Sequence, residues 1–312
     1  MAMTRREAFK NLAKGTLPVL AAGCVSTALP GVAHAEEEKQ APEGALGLLY
    51  DATRCVGCKS CMVACSQAND LKPDTRIDGI HQAPPTLNYM TKNIIKLYRT
   101  ADGSDHSYFK QQCMHCVDPG CMNACMFGGL RKDAETGVVW WYGGKCVGCR
   151  YCEISCPFHI PQFQWDGFNP KIVKCELCRE HIAKGAKQPG CTEVCPTQAV
   201  IYGKREDLLK EAKRRIAANP GKYFENRVYG EHDAGGTQVL YLSRVSFANI
   251  GLPDVGDNSI PSGLKYPHAV YKWMALPMAL FAGMVFFANR NFKEHEHHLV
   301  EDQKKTGLRP QL

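Results

Sequence analysis

The sequence predicts an α+β protein that contains a duplicated unit and ends in one helix crossing a membrane. Seventeen of the 312 residues are cysteines, and sixteen of them form four regularly spaced groups. Short strand-like segments and turns separate these groups, and a twenty-residue apolar stretch lies near the C-terminus. A chain of this length, with 45% hydrophobic residues, buries a core without many disulfides. The cysteines therefore need another explanation.

The N-terminal residues 1–35 predict an export signal of the twin-arginine type. Arg5 and Arg6 precede an apolar stretch from about 16 to 32, and an A-x-A cleavage site follows at 33–35. A basic amphipathic start of a cytosolic protein is the alternative. Cys24 is either discarded with the signal or the site of lipoprotein processing. Export by this route predicts the twin-arginine translocase as a partner.

Sixteen cysteines remain without Cys24, and they form four motifs of four. Motif one is Cys55, Cys58, Cys61 and Cys65; motif two is Cys113, Cys116, Cys121 and Cys125; motif three is Cys146, Cys149, Cys152 and Cys156; motif four is Cys175, Cys178, Cys191 and Cys195. Three cysteines at intervals of three let a short loop wrap one face of an iron–sulfur cubane. The spacing therefore predicts four 4Fe-4S clusters.

Disulfides and zinc are the alternatives to iron–sulfur clusters. Adjacent CxxC pairs repeated four times make a poor disulfide framework, and a CxxCxxC triplet leaves one ligand unused at a tetrahedral zinc. A protein whose clusters are inserted before export must cross the membrane folded, as twin-arginine cargo does. The signal and the cysteines therefore support one another.

The charge of the chain does not favour nucleic acid as a partner. The formal net charge is +7, of which the signal supplies roughly three. Four clusters with their thiolates would contribute about −8, which makes the loaded protein mildly acidic. The chain also contains no GxxxxGK loop and no GxGxxG after a strand.

An internal repeat relates the motifs in pairs. Motifs one and three share a CVGC sequence followed by a basic residue, and motifs two and four share PGC. The repeat indicates a duplicated ferredoxin unit. Between the motifs, the residue patterns predict a hairpin, two further strands and a helix, at 93–112, 137–142, 238–245 and 206–218 respectively.

The apolar stretch from 269 to 288 predicts a membrane anchor. It has one charged residue, Lys272, and as a helix it would span about 30 Å, the thickness of a bilayer core. A buried core helix is the alternative. We expect an anchor at 265–290 in the lipid bilayer, a cytoplasmic tail at 291–312, and the cluster domain, 36–264, on the periplasmic side of the cytoplasmic membrane.

The four cysteine motifs resemble those of the four-cluster subunit of the complex iron–sulfur molybdoenzymes. With the twin-arginine signal, the GGTQV sequence at 235–239 and the C-terminal helix, the chain is similar to the iron–sulfur electron-transfer subunit of periplasmic membrane-bound nickel–iron hydrogenase-2. The resemblance implies a duplicated bacterial ferredoxin-like fold with two double-cluster units. Motifs two and three would build an inner unit, about 106–165, inserted into an outer unit of motifs one and four.

The resemblance also implies that each cluster takes three cysteines from one motif and one from its paired motif. Set 1 is Cys55, Cys58, Cys61 and Cys195; set 2 is Cys113, Cys116, Cys121 and Cys156; set 3 is Cys146, Cys149, Cys152 and Cys125; set 4 is Cys175, Cys178, Cys191 and Cys65. Cys65 and Cys125 lack the proline that follows Cys156 and Cys195, which leaves the turns after them open. Lys59 and Arg150 either favour the reduced clusters or are ordinary exposed cations.

The function implied by the resemblance is electron transfer without catalytic residues in this chain. Electrons would pass through the four clusters between the small and large subunits of a nickel–iron hydrogenase and an integral membrane quinone-reactive subunit. One alternative is the beta subunit of a formate dehydrogenase or sulfur-compound reductase. Another is a zinc-binding structural protein of the cell envelope.

Overall fold

The computed structural model describes residues 39–71, 86–100, 103, 105–166, 171–260 and 275–306. Four predicted features lie wholly or partly outside these ranges: the export signal at 1–35 with Cys24, most of the hairpin turn at 101–105, the first six residues of the apolar stretch, 269–274, and the end of the tail, 307–312. The described ranges contain both helices and sheets, as the α+β prediction requires.

A three-stranded sheet lies at the centre of the fold. Its middle strand, β1 (Leu46–Asp51), pairs antiparallel with β8 (Val200–Lys204) and parallel with β9 (Val239–Leu242). Strand β9 confirms the strand predicted at 238–245. Helix α6 (Arg205–Ala218) follows β8 directly and confirms the predicted helix.

The two faces of this sheet pack against different parts of the molecule. Successive side chains of a strand point to opposite faces, so Leu49 and Leu240 pack against Leu208 of α6 in one apolar cluster. Tyr50 and Tyr241, on the other face, belong to the larger core that contains many of the cysteines. The sheet thus separates a helical layer from the cysteine-rich interior.

In the described part of the chain, three two-stranded ribbons lie between successive cysteine motifs. Strands β2 (Asn93–Arg99) and β3 (His106–Gln112) form the predicted antiparallel hairpin, which confirms it. Strand β4 (Leu130–Lys132) pairs with β5 (Val139–Trp141), which confirms the strand predicted near 140, and β6 (Gln162–Phe163) pairs with β7 (Ile172–Val173).

Five short helices follow the cysteine loops. They are α1 (Ser60–Ala68), α2 (Gly120–Asn123), α3 (Tyr151–Ile154), α4 (Arg179–Ala183) and α5 (Gly190–Glu193). Helix α1 packs against α5, and α2 packs against α3. Motif one is thereby placed beside motif four, and motif two beside motif three.

The glycine of each PGC sequence allows this close helix packing. A Cβ on Gly190 would lie 3.0 Å from the carbonyl oxygen of Ala64 in α1, and a Cβ on Gly120 would lie 3.1 Å from that of Ser155, just after α3. The glycine of the shared PGC sequence thus avoids a clash between a Cβ and a backbone carbonyl in both halves. The sequence repeat therefore corresponds to a structural one.

A long helix, α7 (Ala275–Thr306), ends the described part of the chain. It continues beyond residue 290, the predicted end of the anchor, into the predicted tail. The tail contains good helix formers such as Glu301 and Lys304 and no proline or glycine before Gly307, so it continues the helix. Within the described ranges, no helix is long and apolar enough to cross a membrane.

Candidate metal centres

The four CxxC loops have a left-handed residue at the same position. In each, the residue before the second cysteine has a positive φ: 69° at Gly57, 48° at His115, 73° at Gly148 and 48° at Leu177. Histidine and leucine adopt this conformation rarely, so its recurrence indicates a loop shape fixed by its surroundings. Turns that include left-handed residues can aim successive backbone N–H groups into a concavity that binds an anion.

The structure brings cysteines from paired motifs together. In set 4, the Nδ2 atom of Asn69 lies 3.7 Å from the Sγ atoms of both Cys65 and Cys178, although these cysteines are 113 residues apart. In set 3, a Cβ on Gly129 would lie 3.5 Å from the Sγ of Cys125 and 3.3 Å from the Cα of Cys146.

Electrostatic coupling follows the same four sets. Burial and then the charges of the other three members of set 3 raise the pKa of the Cys152 thiol to about 12. Burial is also the largest cause for Cys61, Cys116 and Cys191, whose pKa values are further raised by the other three members of sets 1, 2 and 4 respectively. Thiols this close repel each other as thiolates, and binding to iron would remove their protons.

Neighbouring cysteines that belong to different sets indicate that the sets follow one another in the order 1–4–2–3. Cys61 of set 1 and Cys65 of set 4 lie one helical turn apart on α1. After burial, a charge on Cys175 of set 4 contributes to the raised pKa of Cys113 of set 2. A charge on Cys152 of set 3 does the same for Cys121 of set 2.

The two ends of this series are accessible, and its middle is buried. Cys58 of set 1 and Cys149 of set 3 are exposed, whereas all eight cysteines of sets 2 and 4 are buried. Sets 1 and 3 thus each have a cysteine at the surface, and sets 2 and 4 have none.

Proline is not needed for the turn after Cys125. The backbone N–H three residues later donates to the carbonyl of Cys125, Cys156 and Cys195, at 3.2, 3.0 and 3.2 Å. Cys125 therefore makes the same turn as the two cysteines that precede proline. After Cys65 the chain instead continues as α1 to Ala68, because serine keeps the N–H that a helix requires.

Two buried lysines that no motif singles out lie among the cysteines. Lys110 and Lys174 are only 1% and 2% exposed. Their ammonium groups donate to neutral oxygens, the amide of Gln112 and the carbonyls of Val139 and Cys175. A buried ammonium needs a compensating anion, and a 4Fe-4S cluster with four thiolates carries about two negative charges. The surroundings of the cysteines therefore fit an anionic cluster.

The chain is similar to known iron–sulfur proteins. Over residues 104–205 the chain matches the family model of the 4Fe-4S dicluster domain, which covers motifs two to four. It is 36% identical to the hydrogenase-2 operon protein HybA of Escherichia coli and of Shigella flexneri, over 97% of this chain and 100% of those proteins. It is 32% identical to the iron–sulfur subunit of the nitrate-inducible formate dehydrogenase of Escherichia coli, over 76% of this chain and 82% of that subunit.

These likenesses confirm the resemblance that the cysteine motifs indicated. The match to HybA extends over nearly the whole of both proteins, whereas the match to the formate dehydrogenase subunit covers a smaller part at lower identity. The chain belongs to the family of the hydrogenase-2 operon protein HybA and is an iron–sulfur electron-transfer subunit.

Proposed function

We propose that this chain holds four 4Fe-4S clusters in sets 1 to 4 and passes single electrons along the series 1–4–2–3. The observation that carries this proposal is the pairing of motifs: α1 packs against α5 and α2 against α3, so that motif one lies beside motif four and motif two beside motif three. When bound, the clusters supply the electron acceptors. The chain fixes their spacing, shields the two inner ones and leaves the outer two near the surface.

Each end of the series offers a surface for a partner subunit. Beside the exposed cysteine of set 1, Val56 and Val63 are 57% and 60% exposed. Beside that of set 3, Val147, Ile154 and Trp165 are 61%, 78% and 67% exposed. Exposed apolar side chains next to a redox centre favour coverage by another protein. We assign one end to the hydrogenase small and large subunits and the other to an integral membrane quinone-reactive subunit.

The course of the chain supports placing set 3 on the membrane side. Ile260 is the last described residue before α7, and a Cβ on Gly120 of motif two would lie 2.5 Å from its Cγ2 atom. The chain thus leaves the body beside the unit that contains sets 2 and 3. If residues 265–290 anchor the protein in the lipid bilayer, set 3 is at the end nearer to the quinone.

We place the cluster domain, after twin-arginine export, on the periplasmic side of the cytoplasmic membrane. The signal pattern at 1–35 and the likeness to a hydrogenase-2 operon protein support this location. The likeness to formate dehydrogenase subunits keeps a formate dehydrogenase beta subunit as a second candidate.

The chain purified without oxygen is expected to contain about sixteen irons, four for each set. Chemical iron and zinc analysis of the folded protein checks this number. Zinc in place of iron, or about eight irons or fewer in a fully folded sample, would contradict four clusters and favour a structural metal protein.

Gently solubilised membranes are expected to yield this chain together with a nickel–iron large subunit. Affinity purification through a tag after residue 312, followed by mass spectrometry and nickel analysis, checks the partner. A molybdopterin-binding subunit in place of the nickel protein would contradict the hydrogenase assignment and favour a subunit of a formate dehydrogenase or sulfur-compound reductase.

A further inference from the structure

Lys174 lies in the interior between sets 2 and 4. Its Nζ atom is 3.9 Å from the Sγ of Cys113, a member of set 2, and donates a 2.9 Å hydrogen bond to the carbonyl of Cys175, a member of set 4. The same ammonium also donates to the carbonyl of Val139. Its positive charge is therefore held in place by backbone groups of both halves of the protein.

The carboxylate nearest in sequence to Lys174 has other partners. Glu176 adds to the negative charges that act on Lys174, but its Oε1 accepts the backbone N–H of Trp141 at 2.7 Å, and its Oε2 lies 3.5 Å from Nζ of Lys92. Glu176 is thus shared among several donors and only partly offsets the charge of Lys174. The remaining compensation would come from the clusters.

Lys110 occupies the corresponding place between sets 4 and 1. Its ammonium group donates to the amide oxygen of Gln112 on the same strand. Burial lowers the pKa of Lys110, but charges on four surrounding cysteines raise it above its ordinary value. In order of effect these are Cys191, Cys61, Cys175 and Cys65. Three of them belong to set 4 and one to set 1.

We propose that Lys110 and Lys174 bracket the cluster of set 4 and together raise its reduction potential. This inference rests on the proposed function, since it requires a cluster in each set. Set 4 has one of these two nearly fully buried lysines on each side, and sets 1 and 2 have one of them each. Two further cations lie on partly buried side chains: Lys59, which follows Cys58 of set 1, and Lys132, whose ammonium group donates to the carbonyl of Cys116 of set 2 at 3.2 Å. At set 3, Arg150 is exposed, with its guanidinium 4.3 Å from the ring centroid of Trp165.

The lysines are expected to raise the reduction potential because reduction adds a negative charge to the cluster. A cluster that accepts one electron gains one negative charge, and a fixed cation nearby stabilises that state. In a buried, low-dielectric site this stabilisation is large, whereas solvent and salt screen an exposed cation. Lys110 and Lys174 would thus stabilise the reduced state of the set 4 cluster.

The test is a potentiometric titration of Lys110→Met and Lys174→Met in the full chain within its purified complex, followed by electron paramagnetic resonance. Both variants should lower the midpoint of the set 4 centre by at least a tenfold change in its reduction equilibrium, about 59 mV for a one-electron couple. Lys110→Met should also lower the midpoint of set 1, and Lys174→Met that of set 2. Cys178→Ser identifies the set 4 signal, and Lys210→Met, at an exposed site on α6, is the control.

The outcomes separate this inference from the proposed function. If the variants keep their full iron content and their reduction midpoints do not change, the role proposed for the lysines is wrong, but the proposal of four clusters is unaffected. A chain that binds no iron–sulfur cluster even without substitution would overturn the proposed function itself. If Lys174→Met lost iron, Lys174→Gln would repeat the test, because its amide can still donate to the two carbonyls. Loss of iron in both neutral variants would make the lysine a structural element and would also overturn the proposal.

Discussion

Replacing Cys125 with serine is expected to alter the same paramagnetic centre as replacing Cys149, although the two cysteines belong to different motifs. Both are among the three cysteines whose charges, after burial, raise the pKa of Cys152. Removing one thiolate ligand opens the cluster, so the centre should be lost or converted, with up to about four irons missing from about sixteen. Electron paramagnetic resonance of the reduced protein, with iron analysis, measures both effects.

Cys116→Ser is the matched control for this experiment. Cys116 lies in motif two with Cys125, yet the charges that act on it, after burial, come from the other members of set 2. The set 2 centre should therefore change in Cys116→Ser and survive in Cys125→Ser, apart from magnetic coupling between neighbours. If both substitutions removed one common centre, each motif would ligate its own cluster and the exchange between motifs would be wrong.

The second motif pair offers an independent check of the same exchange. Cys65 belongs to motif one and Cys178 to motif four, and the amide of Asn69 lies 3.7 Å from the sulfur of each. Serine at either position should therefore affect one shared centre. Cys58→Ser, within motif one but in set 1, should affect a different one.

Local features of the fold follow well from the sequence. The hairpin of β2 and β3 and helix α6 stand where alternation and helical periodicity predict them. Both are short-range structures that their own residues specify. The turn after Cys125 shows the opposite case, because no proline marks it. Its third residue, Gly128, nevertheless has a positive φ of 68°, as His159 and Gln198 do at the same position of the two turns with proline.

The interior around the cysteines is harder to predict from the sequence. Spacing alone does not show that Cys65 and Cys178 lie beside one amide, that of Asn69, since this depends on how distant parts of the chain pack. Lysine is usually exposed, so Lys110 and Lys174 carry no sequence signal of burial beyond their closeness to cysteine motifs. The sequence instead draws attention to Lys59 and Arg150. The Nζ atom of Lys59 is buried, so Lys59 is not an ordinary exposed cation, whereas Arg150 is exposed and lies over Trp165.

Ending the chain after Pro267 is expected to abolish efficient quinone reduction while leaving the cluster domain intact. All sixteen motif cysteines precede Pro196, so the shortened chain should fold, bind iron and be exported. It would lose α7, on which Phe281, Met284 and Phe287 are more than 60% exposed. Hydrogen oxidation with a soluble dye should continue, and hydrogen-dependent quinone reduction in membranes should fall by about tenfold or more.

Dye reduction and quinone reduction are expected to respond differently because only the quinone site must be held at a fixed position. A soluble dye finds an exposed cluster by diffusion, whereas a membrane quinone site must be held close to one end of the series. Tethering raises the effective concentration of one partner near another to the millimolar range, and deleting the tether removes that advantage without touching a ligand. A chain ended after Thr306, which lacks only the last six residues, is the control and should reduce quinone normally. Full quinone reduction by the shorter chain would show that the helix is dispensable, whereas loss of dye reduction as well would show that it is needed to assemble the catalytic subunits.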